Sequence, residues 1–243
     1  MGRASAVLGA QRSLAFVALA VALGFYYRFH ASLPNTSTWG DVAFLSFVLI
    51  PGVLLLVYLV LPLRAARDLQ LLLVAVAFAL LALLLHQAGL DAPSDFAKLG
   101  AMAFVAFWFL NFFEAVSWVV LVACLVPWVD AYSVWRGPTN HIVHNHRQVF
   151  STLSFAFPVP GEPSAANLGL PDLLFFSLFL AAAARFGLRV FATWALLTAS
   201  FGATIAVAVL WDKPGLPALP LLSLGFLLAN ADLLLARAAR ASI

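Results

Sequence analysis

The chain has 243 residues, of which 64% are hydrophobic and only 9% charged, and it carries a net charge of +3. Soluble domains hold about a quarter charged residues, so a mean hydropathy of +1.03 excludes a water-soluble globule. The small charge, with no basic patch interleaved with aromatics, excludes a nucleic-acid-binding surface, and the single cysteine, Cys124, excludes an internal disulfide.

A spanning helix needs about 20 mostly apolar residues. Stretches that qualify are, in chain order, 14–33, 42–63, 69–90, 97–113, 115–136, 168–186, 189–210 and 216–236. The expected fold is all-α: one polytopic transmembrane bundle over 1–243 with about eight spans. Arg3 and Arg12 precede the apolar run Leu14–Gly24 as in a signal peptide, but Phe25-Tyr26-Tyr27-Arg28 lacks the small residues of a cleavage site. The first span is therefore expected to stay. Residues 97–136 form one apolar run broken by Asn111 and Glu114. Unbroken, its 40 residues would make a helix of about 60 Å, twice a bilayer core, so a tight turn is predicted at 111–114.

The long connection, 137–167, holds Pro138, Pro158, Pro160, Gly161 and Pro163 and is expected to be irregular. Its His141, His144 and His146 include an i, i+3 pair that could face a metal. With Asn140, Asn145, Arg147 and Gln148 around them they read instead as a wet interfacial loop, and no metal or other cofactor is expected. Near the C-terminus, Asp232 and Arg237 could pair loosely at a helix end. With eight spans, one side carries Arg3, Arg12, Arg64, Arg67, Arg185, Arg189, Arg237 and Arg240, and the other Arg28, Lys98, Arg136, Arg147 and Lys213. The bias predicts cytoplasmic termini and an outward loop 137–167, in a multi-pass protein of a prokaryotic plasma membrane.

Two acids lie within the apolar runs, and an ionisable residue at membrane depth is a functional-site candidate by default. Asp130 sits near the end of the fifth span and Asp172 near the start of the sixth. Consecutive spans run antiparallel, so both acids fall on one side of the bilayer at similar depth. Two facing carboxyls there would share one proton, the electrostatic arrangement of an aspartic-protease dyad. One would deprotonate water while the other protonates the scissile carbonyl and then the leaving amine. Taken singly, each acid could equally be a helix-end residue; Asp172 in a first turn suits the positive end of the dipole.

Around these acids the sequence resembles the presenilin and signal peptide peptidase family of intramembrane aspartyl proteases. The residues are Trp128-Val129-Asp130-Ala131-Tyr132, then Gly169-Leu170-Pro171-Asp172, then Pro217-Ala218-Leu219-Pro220, in the family's order, with Gly137-Pro138 and Phe175-Phe176-Ser177 as further echoes. The likeness covers about 97–236. In it, 14–113 would be N-terminal helices and 115–236 the catalytic part. Val129 stands where the family has Tyr, and Pro171 where the second Gly of Gly-x-Gly-Asp belongs. Proline fixes φ and removes an N–H, but a first helical turn accepts it if Asn167 or Leu168 caps the helix. The resemblance implies an aspartic endopeptidase that cuts transmembrane-helix substrates between Asp130 and Asp172. Gly169, Leu170, Pro171, Pro217, Ala218, Leu219 and Pro220 would shape substrate binding, and membrane lipid would be the surrounding partner. Two other readings remain open: a non-catalytic relative that holds membrane helices, and a proton-coupled transporter, since paired acids beside broken helices also suit ion coupling.

Overall fold

Each apolar stretch forms a helix. The computed structural model describes residues 9–136, 153–211 and 216–241. The helices are α1 Ala10–Phe29, α2 Thr38–Ala65, α3 Asp68–Gln87, α4 Asp91–Phe109, α5 Val116–Arg136, α6 Leu170–Arg185, α7 Val190–Leu210 and α8 Leu219–Ala241. Seven are long and apolar enough to cross a membrane. The remaining one, α6, has 16 residues and is about 24 Å long. Together they make a polytopic helical membrane bundle. The predicted turn between α4 and α5 is present, with a 3-10 turn at Leu110–Phe112. Within α2 the helix widens to π geometry over Leu45–Leu49. Pro51 explains this, since it cannot donate to the carbonyl one turn back.

The short α6 is the centre of the bundle. Leu173 and the whole run Phe176–Ala183 are buried, as expected of a helix that is apolar all round. Helices α4, α7 and α8 pack against it, while α5 leans mainly on α8 and touches α6 along a narrow seam. Phe179 stacks on Phe226 of α8, with ring centroids 4.8 Å apart, and Phe176 packs on Phe201 of α7.

The connection before α6 departs from expectation. Part of it is an antiparallel hairpin, β1 Ser154–Pro158 and β2 Ala165–Gly169, with Ser154 opposite Gly169 and Pro158 opposite Ala165. Pro158 sits within this ladder, whereas Pro160, Gly161 and Pro163 fall in the irregular loop between the strands, as their breaker signals predict. Val159 N donates to Ser164 O and Leu170 N to Leu153 O, and antiparallel pairs alternate. Pro158 therefore occupies a position whose N–H would point away from β2, where proline is tolerated. Gly161 takes φ 72° in the loop, and its N–H donates to His30 O at 2.7 Å. Phe155 and Phe157 are fully buried, anchoring β1 against α4.

Candidate functional site

Three hydrogen-bonded junctions on the arginine-rich face set the helices' heights. Arg185 at the end of α6 donates to Leu110 O at the α4–α5 turn at 2.5 Å. Arg189 at the start of α7 pairs with Asp232 of α8 at 2.7 Å, and the Arg189 N–H donates to Asn230 Oδ1 at 2.9 Å. The loose Asp232–Arg237 pairing foreseen from sequence gives way to this one. Arg237 instead reaches Gly187 O, 3.5 Å away, because the α6–α7 turn brings Arg189 directly over Asp232.

From that common level the depths follow. Asp130 lies 14 residues beyond Val116, about 21 Å up α5. Asp172 lies 13 residues before Arg185, about 20 Å up α6. Leu219 lies 13 residues before Asp232, again about 20 Å up α8. In a hydrocarbon core about 30 Å thick, all three stand about 10 Å below the face opposite the arginines.

At that level two helices begin inside the bundle, each leaving backbone donors to be satisfied. The aspartates take one each. Gly169 is the N-cap of α6, and its N–H donates to Asp172 Oδ2 at 3.2 Å. Pro171, second in the helix, has no N–H to satisfy and fits there. The cap thus falls on Gly169 rather than on Asn167 or Leu168, with Pro171 still in the first turn. In α8, Pro220 also lacks a donor, and Leu222 N is already bonded to Ala218 O. Leu219 N donates across to Asp130 Oδ2 at 3.1 Å. Ala218 and Leu219 are buried, while Pro217 and Pro220 are half-buried.

The two carboxyl groups are within electrostatic reach of one another, the charge on Asp130 acting on Asp172. Both are half-buried, and both lie at positive helix ends, where negative charge is favoured. Each spends one oxygen on a backbone N–H. Among the described residues the other oxygen, Oδ1, has no hydrogen-bond partner on either side chain. Capping a helix and doing chemistry are therefore compatible roles for these acids. One turn before Asp130, Pro127 interrupts α5 and frees the Ala123 carbonyl. Val129 is 68% exposed, facing outward beside Trp128, so it does not line the space between the acids.

The hairpin delivers an extended edge to the same place. Residues 164, 166, 168 and 170 face β1, by the alternation set out above. Ala165, Asn167 and Gly169 then turn their backbone groups outward. The Gly169 N–H goes to Asp172, whereas among the described residues the N–H and C=O of Asn167 are unpaired. An unpaired strand edge is a template for another chain.

A buried ion pair that sequence reasoning missed holds this hairpin. Lys98 Nζ lies 2.8 Å from Asp95 Oδ1, with both side chains 8% exposed. Lys98 also donates to Ser154 O at 3.0 Å, and Asp95 Oδ2 accepts from Ala156 N at 3.0 Å. Tyr27 OH donates to Ala156 O at 2.9 Å and Tyr26 OH to Pro158 O at 2.7 Å. The signal available was the i, i+3 spacing of opposite charges opening an apolar helix; Lys98 entered the sequence reading only as one of the cations on its side of the membrane. Gly137, Pro138, His141, His144 and His146 lie outside the described residues. Among those described, no three His, Cys, Asp or Glu side chains come together as a metal set would. No protein-family model matches the chain, and a search of curated proteins finds no match.

Proposed function

We propose that the protein is an intramembrane aspartyl protease of the presenilin and signal peptide peptidase type, with Asp130 and Asp172 as its dyad. The observation that carries this reading is that two carboxyls, near enough for the charge of Asp130 to act on Asp172, stand at one depth within an apolar bundle beside a strand edge unpaired among the described residues. With one proton between them, the ionised carboxyl takes a proton from water. The resulting hydroxide attacks the scissile carbonyl carbon, whose oxygen accepts a hydrogen bond from the protonated partner. Collapse of the tetrahedral intermediate breaks the C–N bond, and the amine leaves with a proton from the dyad. Leu219 N–H holds the Asp130 carboxyl by its Oδ2 and leaves Oδ1 for the water.

A helix cannot be cut while its carbonyls are sequestered in the i to i−4 ladder. The outward N–H and C=O of Asn167 offer an unwound segment replacement partners, since an added strand regains backbone hydrogen bonds. β2 runs directly into Asp172, so a strand laid along Asn167 is led toward the dyad. In this reading Gly169, Leu170 and Pro171 border the substrate on one side and Pro217–Pro220 on the other. Termini in the cytoplasm go with the arginine bias of the opposite face, and the resemblance extends the reading to a prokaryotic plasma membrane.

The test is cleavage of transmembrane-helix substrates in proteoliposomes, products being mapped by mass spectrometry. Wild-type protein yields new termini inside the helix, while Asp130→Ala and Asp172→Ala yield none and keep the wild-type circular dichroism spectrum. Residual cleavage in either variant overturns the dyad. Helix capture without cleavage by the wild type would indicate the non-catalytic relative, and flux driven by a pH gradient the transporter.

A further inference from the structure

On the arginine-rich face, about 20 Å from the aspartates, a cavity of about 300 Å³ opens among α1, the end of α2 and the α6–α7 turn. Arg12, Arg64, Tyr58, Leu61, Pro62 and Val190 line it. Arg64 is half-buried and uses one N–H on Ala184 O, 3.0 Å away, out of five guanidinium donors. Arg185 stands near enough to repel it. Among the described residues, none of Arg12, Arg64 and Arg185 has a carboxylate within ion-pair distance.

The sequence leaves little to neutralise them. The acids on this side are Asp68, Glu114 and Asp232, against eight arginines. Asp232 is taken by Arg189, and Asp68 accepts from Asn111 Nδ2 at 2.7 Å. Desolvating a guanidinium beside a like charge is costly unless an anion completes the site. Guanidinium groups bind phosphate oxygens through paired N–H donors. A basic cavity between helix ends, with apolar walls of Leu61, Pro62 and Val190, suits the headgroup end of a lipid. Alongside it, Trp194 packs edge-on to Tyr58 at 6.1 Å, and among the described residues its buried Nε1 has no hydrogen-bond partner. The polar groups left over here are donors.

We propose that this cavity binds a phosphate group through Arg12 and Arg64, with Arg185 adding to its positive potential. The ligand is either the headgroup of an anionic membrane lipid or a free phosphate, and the site is independent of the protease reading.

The test titrates the full-length protein in neutral detergent with short-chain phosphatidylglycerol, phosphatidylcholine or inorganic phosphate, measuring binding by calorimetry. Saturable binding of phosphatidylglycerol, weakened about tenfold in Arg12→Gln and in Arg64→Gln, supports the site with a lipid ligand. Equal binding of inorganic phosphate, with the same loss in both variants, supports it with free phosphate. Arg12 is exposed, so its variant remains informative if Arg64→Gln fails to fold. Arg237→Gln lies on the same face outside the cavity and should leave binding unchanged. No saturable binding of either anion, or an equal loss in Arg237→Gln, overturns the proposal.

Discussion

Asp95→Asn tests the element that holds the hairpin beside the dyad. The substitution keeps an oxygen for the Ala156 N–H but removes the charge opposite Lys98. Both side chains are 8% exposed, and the pair is 2.8 Å long, so the ammonium is left facing a neutral amide inside the bundle. Breaking a buried ion pair from one side costs about 3–5 kcal/mol. The hairpin bears this loss locally, because a β1 carbonyl and a β1 amide are among the other partners of Lys98 and Asp95. At about 1.4 kcal/mol per tenfold, the open population of the hairpin rises by about a hundredfold to several thousandfold. Hydrogen exchange read by mass spectrometry should show that loss of protection over 154–169, with α7 unchanged. In Asp95→Asn/Lys98→Met the buried charge is gone as well, so exchange should be slower than in the single variant. Unchanged hairpin protection in Asp95→Asn, or a double variant worse than the sum of the singles, would refute the latch.

Three further substitutions probe the site. Leu219→Pro removes the N–H that donates to Asp130 at a position where helices accept proline; cleavage should fall by about tenfold or more while the protein stays folded, since hydrogen bonds to charged groups contribute about 1.5–3 kcal/mol. Asn167→Pro deletes an outward-facing N–H without touching the β1–β2 ladder; turnover of helical substrates should fall sharply while hairpin exchange stays slow, and equal turnover would argue against strand addition. Gly169→Ala places a Cβ 3.2 Å from Asp172 Oδ2; the carboxylate must shift by a few tenths of an ångström, and rate should fall more than thermal stability.

The helices were legible because a hydrocarbon solvent imposes a simple rule on any chain that crosses it. Asn111 and Glu114 sufficed to place the α4–α5 turn, since an uninterrupted helix would have been twice too long. Matching of Asp130 and Asp172 in depth was legible for a similar reason: residue counts convert directly to distance along antiparallel helices. The hairpin was not, because Pro158, Pro160, Gly161 and Pro163 carry strong breaker signals, and only the register shows Pro158 at a position where the ladder needs no donor and the other three in the loop between the strands. The pairing of Lys98 with Asp95 was not legible either, since bonding to a strand distant in sequence leaves no local trace beyond their spacing. Likewise Arg189, rather than the nearby Arg237, took Asp232, a choice made by how α7 and α8 pack. The link from Asp130 to Leu219 spans 89 positions, and only the fold places that N–H.

The central claim is that the Asp130 and Asp172 side chains face one another across the α5–α6 seam. Its most direct test is cross-linking of Asp130→Cys/Asp172→Cys, made in a Cys124→Ser background, with a one-carbon bis-thiosulfonate after the 137–152 connection has been given a protease site. The bridged protein should stay in one piece after proteolysis and separate when reduced. Two fragments without reduction, although maleimide labels both thiols, would contradict it.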